Sequence, residues 1–328
     1  MSRPGLAASR SIDIIEFLAL FPERGFTLSE IVRSTGINIA SCHAVLTRLT
    51  ERGYLNRSPE KKTYSIGPSL IAVGQAGFKS LPIVARAKRA AETLLSELAV
   101  PVLVSTVVGD EILALISLED AQGRSAGMWV GERLPLVPPL GAPFLAWASD
   151  DVVEAWIARR ASPPGQALSE EWRRNLLLTR QRGFQVGMRS SSEVPTIASL
   201  MAEMAAGPRS GGYKDELARL INSLDRYRPQ PEVFVDHEYY DVMMIAAPIF
   251  GQDGHAAFTL SLGGFPQMLT GSMINTYADH LMRTCVEVMR ADRSQRRPPE
   301  RPPSGAETGP NRSLGAKRSR RAPAARPR

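Results

Sequence analysis

The chain has 328 residues, 43% hydrophobic and 22% charged, which is the make-up of a globular protein with room for two modest cores. No run approaches the roughly eighteen apolar residues that cross a bilayer, and Met1 to Ser11 lacks an apolar stretch of signal-peptide length, so a cytoplasmic protein without membrane contact is expected. The net charge of +7 is uneven: Arg290 to Arg328 has twelve Arg or Lys against three acidic residues, Met1 to Ser80 has ten against six, and the middle is net acidic, which suits a protein with one end on a polyanion.

In chain order, Arg10 to Leu20 places Ile12, Ile15, Phe17 and Leu18 on roughly one helical face. Phe21 to Gly25 breaks that helix. Thr27 then caps a short helix, Leu28 to Ser34, with Glu30 as its capping-box partner, and Gly36 makes the turn. A further helix runs from Asn38 to about Arg52 and stops at Gly53. Tyr54 to Ile66 reads as a hairpin around the polar turn Ser58 to Lys62. Gly67 to Phe78 is a linking helix and Pro82 to Leu98 a longer one. Val102 to Val108 and Ile112 to Leu118 form a second hairpin, and a third strand is expected to end near Trp129. Ala142 to Arg160 and Ser169 to Arg182 read as helices, Phe184 to Met188, Val242 to Phe250 and Ala256 to Leu262 as strands, and Ser272 to Arg290 as a closing helix. This order predicts an α+β fold around one mixed or antiparallel sheet. Ser190 to Val233 stands outside it as an insertion, with a helix expected at Lys214 to Tyr227. The Pro- and Arg-rich stretch after Arg293 is expected to be disordered.

A capped helix, a glycine turn and a second helix followed by a basic hairpin make the pattern of a winged helix-turn-helix. Val45, Leu46 and Leu49 face inward, which leaves Asn38, Ser41, His43, Thr47 and Arg48 to reach a DNA groove, with Thr27 at the entrance. Arg57, Lys61 and Lys62 in the wing are placed to meet phosphate, which positions the protein while base contacts specify the site.

Over Ser11 to about Phe78 the sequence resembles the IclR family of bacterial transcription regulators. The resemblance is carried by Ser11-Ile12-Asp13-Ile14-Ile15, Thr27-Leu28-Ser29-Glu30-Ile31, Thr35-Gly36-Ile37-Asn38, Leu46-Thr47-Arg48-Leu49, Glu51-Arg52-Gly53-Tyr54-Leu55 and Tyr64-Ser65-Ile66-Gly67. It resumes at Gly131 to Leu136, Leu140-Gly141, Arg182-Gly183-Phe184 and Ile245 to Phe250. The resemblance implies a winged helix-turn-helix over 1–66, a linker helix over 67–80 and a GAF-like α/β effector domain over 81–293; composition sets off the basic tail over 294–328. The resemblance also implies a homodimer or tetramer on a palindromic double-stranded operator, and a small-molecule effector, commonly an organic acid. The implied effector positions are Met128, Trp129, Leu140, Gly141, Ala142, Ser261 and Gly263. The chain departs from the family in having no lysine after Gly141, in Ser261-Leu262-Gly263-Gly264 at the closing strand, and in the insertion.

Several residues have a plainer reading beside the functional one. His43 is either a base reader or an exposed helix residue, and Cys42 either a redox switch or an inert thiol. Cys285 reads as core or interface. Gly141 either opens a helix whose N–H groups hold a carboxylate or permits close packing. Met128, Trp129, Leu140, Phe144 and Phe258 line a pocket or fill a core, and the tail either binds DNA phosphate or is merely solvated. The four histidines lack metal-ligand spacing, and neither Ser190-Ser191-Ser192 nor Gly207 to Gly212 has the frame of a nucleophile elbow or phosphate loop, so no cofactor and no enzymatic activity are expected. The competing reading is a small-molecule-binding protein whose N-terminal domain contacts protein, or a regulator without a ligand.

Overall fold

The computed structural model describes residues 5–159, 165–189 and 229–294. The helix expected at Lys214 to Tyr227, most of the 190–233 stretch and the tail expected to be disordered lie outside the described residues.

Helix α1 (Leu6–Ala19) begins four residues earlier than its periodicity indicated and buries Ile14 and Leu18. Phe17, Phe21 and Phe26 then meet with ring centroids 4.8 to 5.7 Å apart. Strand β1 (Phe26–Thr27) leads into α2 (Leu28–Thr35), which starts on a complete capping box between Thr27 and Glu30. Gly36 ends α2 at φ 69°, a conformation that a side chain would strain, and its N–H closes on Val32 at 2.9 Å. Helix α3 (Ile39–Glu51) is capped by the Asn38 side chain, which accepts from the Ser41 N–H at 2.9 Å. Strands β2 (Leu55–Ser58) and β3 (Thr63–Ile66) form the expected hairpin, and β1 joins them in the order β1-β3-β2. Ile14, Leu18, Phe26, Ile31, Leu46 and Leu55 make the centre of this domain's core.

Helix α4 (Ser69–Ser80) follows and buries none of its residues; Ile71 and Val73 are 66% and 53% exposed. Helix α5 (Pro82–Leu98) has the expected bounds. Behind it stands a six-stranded antiparallel sheet of order β6-β5-β4-β10-β9-β7. Its strands are β4 (Val102–Val108), β5 (Glu111–Leu118), β6 (Arg133–Pro135), β7 (Gln185–Met188), β9 (Val242–Phe250) and β10 (Ala256–Gly263), while β8 (Tyr239–Tyr240) and β11 (Leu269–Thr270) pair separately. One face, with Val102, Val104, Ile245, Ile249, Leu260 and Leu262, packs on α5 and the closing helix α9 (Gly271–Ser294). The other face is covered by α6 (Ala142–Leu145), α7 (Asp150–Ile157) and α8 (Gln166–Arg182).

Two expectations are corrected. The third strand does not end near Trp129: Gly127 and Gly131 take φ values of 102° and 86°, which are not strand conformations, and the strand itself begins at Arg133. The helix expected over Ala142 to Arg160 is two helices, because Ser149 adopts an extended N-cap conformation and restarts the chain into α7. Among the described residues no helix is long and apolar enough to cross a membrane.

Candidate functional site

The N-terminal domain offers one exposed face. Helix α3 turns Cys42 and Leu46 into the core and leaves Ala40, His43, Ala44, Thr47 and Arg48 in solvent. The Thr47 hydroxyl donates back to the His43 carbonyl at 2.9 Å, and the Arg48 guanidinium pairs with Glu51 at 2.9 Å. That pair is exposed, so water competes with it and either member can exchange partners at little cost. Asn38 is exposed but spends its side-chain oxygen on the cap. Ser41 is half-buried and accepts from Arg10 of α1 at 3.1 Å. In the wing, Arg57, Lys61 and Lys62 are all exposed; Arg57 lies 5.8 Å from the Tyr64 ring centre, and Lys62 takes φ 52° in the turn.

Thr27 lies apart from these groups in its chemistry. Its hydroxyl donates to Glu30 Oε2 at 2.8 Å and accepts from the Glu30 N–H, while its own N–H donates to Glu30 Oε2 at 2.7 Å. The backbone N–H of Thr27, above all, holds the Glu30 carboxyl below the usual carboxylate range; Arg24 at 3.0 Å adds to this. Cys42 is fully buried, and desolvation pushes its thiol up. A redox switch needs an accessible thiolate, so the inert reading fits this position.

In the α/β domain, pairing sets out the covered inner face row by row. Ser117, Leu103, Ser261, Ala246 and Gln185 lie side by side across five strands. The next row is Ala114, Ser105, Thr259 and Pro248. The Ser105 and Thr259 hydroxyls share a hydrogen bond of 2.7 Å, and Ser117 donates to the Met128 carbonyl at 2.7 Å. Ser261 is 1% exposed and its hydroxyl has no partner among the described residues. Gly263 follows on the same side, where a Cβ would come within 3.0 Å of the Ala126 backbone.

The other expected effector residues gather beside this face without all facing one space. Met128 and Ala142 are buried in its apolar cluster, and Trp129 and Leu140 are half-buried. The Leu140 carbonyl accepts from the Trp156 indole at 3.0 Å. Gly141 takes φ 87°, a conformation that strains any side chain, and a Cβ there would run into Leu136 Cδ1, so backbone conformation and packing already account for the glycine. The helix it opens has only four residues, too short for the aligned dipole that would hold an anion.

Glu132 lies in the family-like run Gly131 to Leu136 but is not among the expected effector positions. Its side chain is fully buried; Oε2 accepts from the Trp129 N–H at 2.9 Å, and Oε1 has no partner among the described residues. Desolvation pushes this carboxyl up to about 7. Its sequence signal was an acid in that run, just ahead of a strand. A groove of about 670 Å³ between α8 and residues 229–232 was also unforeseen; its rim charges Arg174 and Glu232 pair with each other.

Residues 7–59 match the family model of the IclR helix-turn-helix domain. The chain is 26% identical over 149 residues to the DNA-binding transcriptional repressor YiaJ of Escherichia coli (strain K12), covering 45% of this chain and 52% of that protein. The match therefore spans about half of that relative's length. Among solved structures, the fold is similar to an IclR transcriptional regulator from Alicyclobacillus acidocaldarius, with a TM-score of 0.63 at 17% identity over 88% of this chain and 99% of the other. It is also similar to an IclR homolog complexed with 4-hydroxybenzoate from Microbacterium hydrocarbonoxydans, with a TM-score of 0.58 at 16% identity over 88% and 100% of the two chains. The resemblance read from the sequence stands for the helix-turn-helix domain, and so does the fold: that domain stands ahead of an α/β domain folded like those of the solved IclR regulators.

Proposed function

With an IclR helix-turn-helix domain at its start, this chain, we propose, is a sequence-specific transcription regulator that binds a double-stranded operator and answers to a small organic acid. Residues 1–66 bind DNA, 67–80 link, and 81–293 sense the effector. The observation that carries the reading is the exposed face of α3 within the matched domain: His43, Thr47 and Arg48 are exposed there, and Arg57, Lys61 and Lys62 are exposed in the hairpin that follows. Arg48 reads a base and the wing cations hold phosphate. Asn38 and Ser41 support the start of the reading helix through the hydrogen bonds they make, and Thr27 caps α2 before it. Two copies bind a palindrome, and the exposed apolar residues of α4 favour such pairing, since Ile71 and Val73 gain from leaving water.

For the effector, the inner sheet face supplies the unpartnered Ser261 hydroxyl, the Ser105–Thr259 hydroxyl pair with one proton left to donate, and apolar neighbours at Met128 and Leu103. Such a face suits an acid with a hydrocarbon or aromatic body, and a structural neighbour holds 4-hydroxybenzoate. The test is to sequence genomic fragments retained by the purified protein with and without a panel of organic acids. Enrichment of one palindromic sequence, released or strengthened by an acid, is the expected result. Retention without sequence preference refutes the regulator reading, and a response to neutral compounds alone refutes the acid.

A further inference from the structure

Strand β6 faces two ways. Leu134 pairs with Ile112 and both are buried in the inner cluster. Two positions earlier, the Glu132 backbone carbonyl accepts from the Ala114 N–H at 3.0 Å, which extends the pairing with β5, and the Glu132 side chain is fully buried. Arg133 lies between them, and alternation along a strand sends it to the opposite side. There its Nε and Nη2 reach Glu16 Oε1 of α1 at 3.0 and 2.8 Å, while Nη1 reaches Glu111 Oε2 at 3.2 Å. Glu16 and Arg133 are 117 positions apart in the chain, and the contact joins the helix-turn-helix domain to the edge of the α/β sheet.

Neither end of this contact is loose. Glu16 sits between Ile14 and Leu18, which are 0% and 1% exposed, so α1 and its neighbours must move as one when Glu16 is pulled. Helix α1 also holds α3 through Arg10 and Ser41. On the other side, β6 is a short edge strand whose inward residues touch the face that carries Ser105 and Thr259. We infer that β6 is the connector between the two domains: Arg133, steadied by Glu111, grips Glu16 and delivers to α1 any displacement imposed on β6 from the inner face. The regulatory meaning rests on the function proposed above, but the connector does not, and its test uses neither DNA nor effector.

The full-length protein is labelled with nitroxides at Ser34→Cys on α2 and Thr276→Cys on α9, both exposed positions, and is diluted with unlabelled protein so that pulsed spin-resonance distances are intramolecular. The native Cys42 and Cys285 are 0% and 2% exposed and escape the label. The unsubstituted pair is expected to give a narrow distribution. Arg133→Gln and Glu16→Gln should each broaden it, and their combination should broaden it no further. Ala114→Val, which crowds Glu132 on the inner face, should shift the mean distance when Arg133 is present and not when it is Gln. A folded Arg133→Gln protein with the original width overturns the inference. So does a combined variant broader than either single one, or an Ala114→Val shift that persists without Arg133.

Discussion

Replacing Glu132 by Gln separates the cost of its buried charge from the hydrogen bonds around it. Gln keeps the volume and still offers an oxygen to the Trp129 N–H, which Glu132 now satisfies at 2.9 Å. In the fold, desolvation raises the carboxyl from 4.5 to about 7. The folded state thus holds its proton where the unfolded chain has released it, so stability falls as pH rises between those two values and levels off above them. At about 1.4 kcal/mol per pH interval, the difference amounts to roughly 3 kcal/mol near pH 8 and only about 1 kcal/mol near pH 5. Glu132→Gln has no such proton to lose. Urea unfolding of both proteins at several pH values should show the variant gaining on the parent by that amount between the acid and the alkaline arm. Parallel stability curves would mean that the carboxylate finds compensation in the fold, and would refute the argument from burial.

Arg48→Ala should weaken operator binding by about 1–3 kcal/mol if the guanidinium reads a base, while its melting temperature hardly moves, because the exposed Arg48–Glu51 pair contributes little; fluorescence titration and calorimetry separate the two. Thr27→Ala should lose about 1 kcal/mol of stability with its cap and leave the preferred operator unchanged, as urea unfolding and selection of bound sequences would show. Gly141→Ala should destabilise by at least roughly 1–2 kcal/mol from backbone strain alone, with more from the clash at Leu136, read again in urea. A chain ending at Arg293 should fold and keep its operator preference, and a tail that meets phosphate should reveal itself as a shallower salt dependence of affinity on truncation.

What the sequence disclosed was local. The capping box of Thr27 and Glu30, the left-handed Gly36 and the bounds of α5 each follow from a few neighbouring residues, and the structure has them as read. The break at Ser149 was also local: a serine before Asp150 and Asp151 is a helix start, but Ala146 to Ala148 carried helical propensity across it. The strand misplaced at Trp129 needed knowledge that Gly127 and Gly131 would turn rather than extend. Glu132 and Arg133 could not be assigned at all. One is inside because it lies beside Ala114, and the other binds α1 because two domains meet there; neither relation is written in nearby residues.

The order of the sheet has a consequence for how the chain is made. Strands β4 and β10 are neighbours at its centre, yet the Ser105–Thr259 hydrogen bond between them joins residues 154 positions apart. During synthesis the helix-turn-helix domain emerges before the α/β domain and closes on contacts within its own span. The hairpin of β4 and β5 must then wait, with one edge of β4 unpaired, until β10 leaves the ribosome. Strand edges left open in this way recruit other chains. Nascent chains stalled before Ala256 should therefore depend on chaperones, although the DNA-binding part they carry is already folded.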